Sequence, residues 1–383
     1  MTSRGAPAGV RELAGAVADL GVLVPIAAAL ILVNGLSATA VLLPAGLLYV
    51  AAGVFYRVPI PVQPLKAFGA IAIAAHAGPD VIAAGAILMG LIFVPLGLSG
   101  LLDAAARVVP RPLVRGIQLS VGLIFLKLAW DLLVRPPAAS PDTGTGLGVL
   151  LALAAGALVL AWLGRRWGSG LVLIAVGLAV AWWRWRGEVV FGPVPLVVSV
   201  PPTTAFATAA VLLVVPQLPL TFANSCLATA DVARTYFGAR AERVTAGRLA
   251  VSLGLANLAA GLIAGMPVCH GAGGLTAHRS FGARHGWGIA ALGGVLVALA
   301  LGFGSSVGPA LAGFPVWILA ALLAAAGLLH IALLADLRGR LEWFFALAVG
   351  GVGAFANLAV ALAVGWLAWW LVSRARTPAS RRP

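Results

Sequence analysis

The sequence predicts an all-α polytopic membrane protein built from two inverted halves. Three observations support this fold class: the composition, a repeated spacing of apolar runs, and the placement of the basic residues. Of the 383 residues, 62% are hydrophobic and only 9% are charged, and the mean hydropathy is +1.06. A soluble globular protein needs far more polar surface, so a lipid bilayer is the expected surrounding. The net charge of +14 does not indicate nucleic acid, because the basic residues lie in short loops.

The apolar runs divide into two sets of seven, and the third run of each set is too short to cross a bilayer. Residues 1–186 form the first predicted repeat, 187–204 a junction, 205–373 the second repeat, and 374–383 a short cytoplasmic tail. The first seven runs are Leu13–Leu36, Ala38–Phe55, Ala67–Ala77, Val81–Leu102, Leu113–Leu133, Leu147–Leu163 and Leu171–Trp185. The second seven are Ala205–Ala230, Val244–Ala264, Gly271–Phe281, Trp287–Phe303, Val316–Leu334, Trp343–Ala356 and Leu358–Val372. Glycines and Asn357 interrupt the last two, which we expect to pack as a pair of half-length helices.

The basic residues predict the orientation. If the N-terminus is cytoplasmic, 20 of the 25 Lys and Arg residues fall on the cytoplasmic side. Only Arg135, Arg184 and Arg186 then lie outside, while Lys66 and Lys127 lie within segments. This bias predicts that both termini are cytoplasmic and that the protein resides in the cell (inner) membrane. Because each half has an odd number of segments, the second half is inverted relative to the first.

Two interrupted stretches, Pro59–Ala70 and Gly265–Thr276, occupy corresponding places in the two halves. Each has Pro-Val followed by a polar residue and then a helix start rich in small residues. Proline favours extended backbone before it, so we expect an extended piece that opens a short helix. Irregular backbone at membrane depth is tolerated where it lines a cavity, and such paired breaks are typical of a transporter's binding site.

Charged residues within the apolar runs are the next candidates, because their insertion into a bilayer is costly. Lys66 opens the third segment, where the free N–H groups of a helix start favour an anion. The alternative is that Lys66 forms a structural ion pair with Asp19 of the first segment. Lys127 and Asp131 are four positions apart, which predicts that they pair with each other.

A polar stripe follows Pro216 in the eighth segment. Gln217, Thr221, Asn224 and Asp231 recur at helical spacing and are predicted to share one face. That face either lines a water-filled cavity or forms hydrogen bonds between helices.

Histidines are the remaining titratable candidates. His270 precedes the short tenth segment, where it could donate to an oxyanion or carry a proton; the alternative is a histidine held by backbone carbonyls. His278, His285 and His330 lie near segment ends, and we expect them to be solvated.

Other classes of function find little support in the sequence. There is no Walker A motif and no Cys/His metal-binding cluster, so neither a cofactor nor a metal is expected. Cys226 and Cys269 are expected to be buried thiols. An intramembrane enzyme is disfavoured, because Ser225 and Cys226 have no intramembrane histidine at a suitable spacing.

Several of these motifs resemble the molybdate transporter family within the sulfate permease superfamily. The motifs are Glu12–Gly21, Pro61–Ala67, Pro216–Thr221 with Ala228–Asp231, and Gly265–Gly274. The resemblance implies 14 transmembrane segments in two inverted seven-segment repeats, the fold of uracil symporters and sulfate permeases. It also implies a core domain of segments 1–4 and 8–11 and a gate domain of segments 5–7 and 12–14.

The resemblance further implies that the third and tenth segments face each other with an anion between their N-termini. The substrate-binding residues would be Gln63, Lys66, Ala67, Gln217, Thr221, Asn224, His270, Gly271, Ala272 and Gly273. The implied function is secondary active import of molybdate, or of sulfate or tungstate, by alternating access. Proton coupling is an expectation that rests on Asp19, Asp231 and His270.

The alternative is a uracil or xanthine/proton symporter of the same fold. Asn224 and Gly273 stand near the places where such symporters carry acidic residues, which favours an oxyanion. The oligomeric state is left open, with a homodimer among the alternatives.

Overall fold

The computed structural model describes residues 8–102, 110–136, 169–185 and 187–376, and these residues are mostly helical. The first half contains α1 (Ala8–Asn34, with a 3₁₀ turn at Val17–Asp19), α2 (Ala38–Tyr56), β1 (Gln63–Pro64), α3 (Lys66–Ala74), α4 (Pro79–Ser99), α5 (Arg111–Val134) and α6 (Ser169–Arg184). The second half contains α7 (Thr203–Ala241), α8 (Ala246–Leu262), β2 (Val268–Cys269), α9 (Ala272–Phe281), α10 (Gly286–Ala312), α11 (Val316–Asp336), α12 (Arg340–Val352) and α13 (Leu358–Arg376). The predicted sixth segment, Leu147–Leu163, lies outside the described residues.

Seven of the described helices, α1, α2, α4, α5, α7, α10 and α11, are long and apolar enough to cross a membrane. Shorter apolar stretches lie in α6, α8 and α13. The polytopic helical architecture is therefore confirmed, whereas the count of 14 spans stays a prediction. α12 and α13 lie against each other across the π-helical stretch Gly353–Asn357, and the rings of Phe345 and Trp369 are 5.1 Å apart between centroids.

Facing glycines set the distance between neighbouring helices. α2 packs along α10 and α4 along α8, while α5 packs against α11 and α12. A Cβ added at Gly293 of α10 would lie 2.6 Å from the carbonyl oxygen of Gly46 in α2. A Cβ at Gly122 of α5 would lie 2.7 Å from the carbonyl oxygen of Gly327 in α11. Small facing residues let membrane helices approach closely, so these contacts depend on glycine.

α7 is irregular for a reason visible in the sequence. It carries two π-helical stretches, Ala210–Val214 and Thr221–Ala228, on either side of Pro216 and Pro219. Proline has no N–H and cannot continue the α-helical hydrogen-bond ladder, and a π-helical turn accommodates such an interruption. A π-helical turn also holds more residues than an α-helical one, so side chains beyond Thr221 rotate away from the face predicted by α-helical spacing.

The centre of the fold is a ribbon of two very short strands. β1 pairs antiparallel with β2, with Gln63 opposite Cys269 and Pro64 opposite Val268. The Asn257 side chain of α8 extends this ribbon: its Nδ2 donates to Val268 O at 2.9 Å, and Val268 N donates to its Oδ1 at 2.7 Å. α3 and α9 therefore begin close to one central point, which confirms the predicted extended pieces before the third and tenth elements.

Candidate functional site

A cavity of about 320 Å³ lies where α3 and α9 begin, and residues of α1, α5, α7 and α11 line it as well. Most polar groups in the lining come from α3, α7 and α9 and from β1. The polar side chains that line it from this side are Gln63, Lys66, Gln217, Asn224 and Ser225, with Cys269. Gly273 and Gly274 of α9 line it as well. The cavity is thus bounded on one side by two helix N-termini.

The start of α3 is partly capped from a distant part of the chain. Leu65 stands at the N-cap without a side-chain cap, and the backbone N–H of Phe68 donates to Gln217 Oε1 at 3.0 Å. The N–H groups of Lys66 and Ala67 form no hydrogen bond with any described residue. Free N–H groups and the helix dipole give such a helix start a partial positive charge, which attracts an anion.

The start of α9 needs its glycines. A Cβ on Gly271 would lie 2.5 Å from Gln63 Oε1 and 3.5 Å from Asn224 Nδ2, so the bare backbone lets both amides reach the helix start. A Cβ on Gly273 would meet nothing within 4 Å, which means that open space lies above this turn. The backbone N–H groups of Ala272 and Gly273 form no hydrogen bond within the described part of the chain.

Lys66 supplies a full positive charge to the same cavity. Its side chain forms no ion pair with any described side chain. The Asp19 backbone ends the 3₁₀ turn of α1, but its side chain is not among those described, so the alternative of a Lys66–Asp19 pair stays open.

Two of the predicted polar site residues are buried beside the cavity rather than in its lining. Thr221 is fully buried; its hydroxyl accepts from Gln217 Nε2 at 3.0 Å and donates to Gln217 O at 3.2 Å. His270 is also fully buried, with Nδ1 2.9 Å from Pro61 O and Nε2 2.8 Å from Ser252 Oγ. Both side chains therefore hold neighbouring groups in place.

Asp231 lies apart from the other members of the predicted stripe. It lines a second cavity of about 240 Å³ with Arg234 and Thr245, whereas Gln217 and Asn224 line the first. Asp231 therefore does not line the cavity that Gln217 and Asn224 share, and the π-helical stretch of α7 lies between Asn224 and Asp231.

One of the three histidines expected to be solvated is fully buried, and a second is half-buried at the first cavity. His278 is fully buried, with Nδ1 2.8 Å from Gly15 O, and His330 lines the first cavity. His285 is exposed as expected and pairs with Glu12 Oε1 at 2.8 Å. The error arose because closeness to a segment end in the sequence does not show which elements cover that end.

Sequence reasoning also missed Gln118 of α5, which lines the same cavity as Lys66. It lies in the middle of an apolar run, and that was the available signal.

The predicted Lys127–Asp131 pair is confirmed at 2.6 Å. Cys226 and Cys269 are buried thiols, as predicted. Among the described residues, no group of His, Cys, Asp and Glu side chains is placed to hold a metal ion.

Comparison with known proteins identifies the family. Residues 11–125 and 209–329 match a family model described as molybdate transporter of the MFS superfamily. The chain belongs to this molybdate transporter family. The matched ranges contain both short helices, the ribbon between them, the lining residues from α1, α5 and α7, and those of α11 up to Leu329.

Two plant proteins are similar over most of their length. The chain is 30% identical to molybdate transporter 1 of Arabidopsis thaliana over 416 residues, which is 97% of this chain and 91% of that protein. It is 30% identical to molybdate transporter 2 of the same plant, over 89% of this chain and 82% of that protein. Members of the molybdate transporter family are membrane transporters and not enzymes, and none of these matches supports the nucleobase alternative.

Solved structures show the fold. The transmembrane domain of the cyanobacterial bicarbonate transporter BicA aligns with a TM-score of 0.66 at 18% identity, over 94% of this chain and 96% of that one. The murine solute carrier 26 family member A9 anion transporter, in its inward-facing state, aligns with a TM-score of 0.67 at 16% identity, over 96% of this chain and 69% of that one. This member of the molybdate transporter family therefore has the fold of the sulfate permease superfamily, as the resemblance implied.

Proposed function

We propose that this chain is a secondary active transporter that imports molybdate, or a closely related tetrahedral oxyanion such as sulfate or tungstate. The observation that carries the proposal is that Lys66 and the free N–H groups that open α3 and α9 lie at one cavity. The relatives from Arabidopsis thaliana and Chlamydomonas reinhardtii are named as molybdate transporters, which supports the same substrate class.

Replacement of the anion's hydration shell requires several donors. Hydrogen bonds to a charged acceptor contribute about 1.5–3 kcal/mol each, so four or five of them offset much of the cost of dehydration. In the proposal the donors are the Lys66 ammonium, the amides of Gln63 and Asn224, and the backbone N–H groups of Ala67, Ala272 and Gly273. Gln217, Thr221, His270 and Gly271 hold these donors in position.

The transport cycle in this proposal is alternating access. A core domain of α1–α4 and α7–α10 moves against a gate domain of α5, α6, α11, α12 and α13, together with the sixth predicted segment. The anion site stays with the core, because both short helices belong to it. The proposal places the protein in the cell (inner) membrane with both termini in the cytoplasm, as the positive-inside bias of the sequence favours.

The experiment that tests this function is calorimetric binding of molybdate to the purified protein, with sulfate and uracil as competitors. We expect molybdate binding that uracil does not displace and that Lys66→Ala reduces at least tenfold, because the only full charge of the proposed donor set is lost. Lys127→Ala is the matched control: Lys127 is exposed and paired with Asp131, and its loss should leave binding unchanged. Uracil binding would overturn the substrate class, and unchanged binding by Lys66→Ala would overturn the site.

Coupling to a proton is also part of the proposal. Asp19, Asp231 and His270 are the residues to which the sequence pointed for this role. Molybdate uptake by proteoliposomes should rise when the outside is made more acidic than the inside. Uptake that is indifferent to an imposed pH gradient would rule out proton coupling and leave import itself in place.

A further inference from the structure

The gate side of the cavity carries few polar groups. It is lined by Gln118 of α5 and by Leu322, Ala325, Ala326, Leu329, His330 and Leu333 of α11. His330 is therefore the titratable group that the described gate helices present to the proposed anion site. Apolar side chains cannot replace the hydrogen bonds that an anion forms with water. His330 is a side chain in this wall that can form one.

The orientation of the His330 ring is fixed by two contacts. Nδ1 lies 2.8 Å from the carbonyl oxygen of Ala326, one helical turn earlier. The buried ring of Phe125 in α5 meets the imidazole edge to face, with the centroids 6.0 Å apart. A carbonyl oxygen only accepts hydrogen bonds, so Nδ1 must carry a hydrogen. Nε2 is then the nitrogen left for the cavity, and no described residue forms a hydrogen bond to it.

This geometry has a direct consequence for an oxyanion. In a neutral imidazole with its hydrogen on Nδ1, Nε2 presents a lone pair and can only accept, and a fully ionised oxyanion likewise only accepts. The two therefore repel unless Nε2 is protonated, when it becomes a charge-assisted donor. We propose that His330 is the gate-side ligand of the bound oxyanion and that binding of the anion takes up one proton at His330 Nε2.

The surrounding charges favour this coupling. Lys66 of α3 lines the same cavity and lies close enough to interact electrostatically with His330. Two cations across an empty cavity repel each other, whereas a dianion between them attracts both. Binding of the anion and protonation of His330 therefore strengthen each other, and this coupling is reciprocal by thermodynamic necessity.

The other charged groups near α11 are engaged elsewhere. α11 packs against α1, α5 and α6. Apart from His330, most of the charged side chains described on these four helices form ion pairs: Arg111 and Arg115 with Asp336, Lys127 with Asp131, and Glu12 with His285. The remaining ones are Arg11 and Arg184. None of them lines the cavity, and the side chain of Asp19 lies outside the described residues. Besides Lys66 and His330, the Cys269 thiol is the titratable group in the described lining.

His270 provides an internal comparison. Its Nδ1 also faces a carbonyl oxygen, that of Pro61, at 2.9 Å. Its Nε2, however, is 2.8 Å from the hydroxyl of Ser252, which is itself 2.8 Å from the Tyr56 hydroxyl. Both ring nitrogens of His270 are thus occupied within the protein, whereas His330 keeps one for a ligand. The inference rests on the proposed function but assigns the proton to a residue that the sequence did not indicate.

Proton uptake on binding can be measured directly. Molybdate is titrated into the purified protein by calorimetry near neutral pH, in buffers that differ in ionisation enthalpy, which gives the number of protons taken up per anion. Wild type should take up a measurable fraction, reaching at most about one proton per anion at a pH where the imidazole is neutral in the free protein and protonated in the complex. His330→Gln should bind about tenfold to a hundredfold more weakly and take up none, because an amide donates without a proton. His330→Arg should bind without uptake, since its charge is permanent.

The controls separate the possible failures. His76→Asn alters an exposed histidine and should leave proton uptake unchanged. If wild type binds molybdate with no proton uptake, or if either His330 variant takes up as many protons as wild type, the inference is overturned and the proposed function stands. If wild type does not bind molybdate at all, the proposed function itself fails. Because two different His330 variants test the point, misfolding of one leaves the other decisive.

Discussion

Gln217 Oε1 accepts a hydrogen bond of 3.0 Å from the backbone N–H of Phe68, although 149 positions separate the two residues. This bond joins α7 to the first turn of α3 and thereby fixes one helix start of the proposed anion site. Gln217 is buried, and its Nε2 is engaged with Thr221. The same amide thus contacts both Thr221 of α7 and the first turn of α3.

Replacement of Gln217 should separate stability from binding. Gln217→Leu leaves the Phe68 N–H without its acceptor, so we expect a loss of about 1–3 kcal/mol in the free energy of unfolding. Gln217→Glu keeps an acceptor for Phe68 but adds a negative charge beside the anion, so molybdate binding should fall at least tenfold with a smaller change in stability. For both Gln217 variants, thermal unfolding in detergent measures the stability and calorimetry measures molybdate binding. Equal molybdate affinity in wild type and Gln217→Glu would argue against an anion next to α3.

Two adjacent glycines of α10 provide a matched test of helix packing. A Cβ at Gly293 would lie 2.6 Å from Gly46 O, whereas one at Gly294 would meet nothing within 4 Å. Gly293→Ala should therefore destabilise the protein by about 1–3 kcal/mol through overpacking. Gly294→Ala should be neutral or stabilise by about 0.5–1 kcal/mol, because alanine favours the helix. The midpoint of thermal unfolding is measured for both variants. A similar loss of stability in both would contradict the packing between α2 and α10.

Asn257 should be essential for the central ribbon. It is fully buried and forms two hydrogen bonds with the backbone of Val268. Asn257→Ala leaves one donor and one acceptor of β2 unpaired at membrane depth, which should cost about 3 kcal/mol of stability. Molybdate binding should weaken too, since β2 positions the start of α9. Leu255→Ala is the control on the same helix, because Leu255 is 54% exposed; if it is as damaging as Asn257→Ala, the role of the amide is refuted.

Glu12 should stabilise the junction between α1 and α10. Its carboxylate is buried and accepts from Arg284 N at 2.8 Å, from His285 N at 3.1 Å and from His285 Nδ1 at 2.8 Å. Glu12→Gln removes the charge and one acceptor next to the start of α10, so unfolding should become easier by about 1–2 kcal/mol.

The control for Glu12 is Glu188→Gln, which changes an exposed carboxylate. Its midpoint of thermal unfolding should match that of wild type. A wild-type midpoint in Glu12→Gln would mean that the carboxylate does not hold the α1–α10 junction.

The sequence predicted much of this molecule because the relevant signals are local. Apolar composition identifies a membrane protein, since too few polar side chains are present to cover a soluble surface. Pro61 and Pro267, each followed by Val, a polar residue and small residues, predict the two extended pieces and short helices, because proline disfavours helical backbone before it. The Lys127–Asp131 pair follows from helical spacing alone.

The composition of the site was predicted less completely. Lys66, Gln63 and Asn224 were selected correctly as cavity residues, because they lie in or beside breaks that the sequence displays. Asp231 lines a different cavity from Gln217 and Asn224, and no spacing rule for an α-helix anticipates the π-helical turns of α7 that lie between them. His330 and Gln118 were missed, because nothing near them in the sequence distinguishes a cavity wall from a lipid-facing helix.

The sequence by itself therefore determined the membrane class, the two broken helices and the positive charge at the start of α3. Tertiary structure alone decided which groups meet near those helix starts: Gln217 bonds to Phe68, Asn257 bonds to β2, and His330 lines the same cavity as Lys66. The physical reason is that helix formation and bilayer insertion depend on neighbours within a few turns. A binding cavity instead joins side chains from elements hundreds of residues apart, and their meeting depends on how close-packed helices cross.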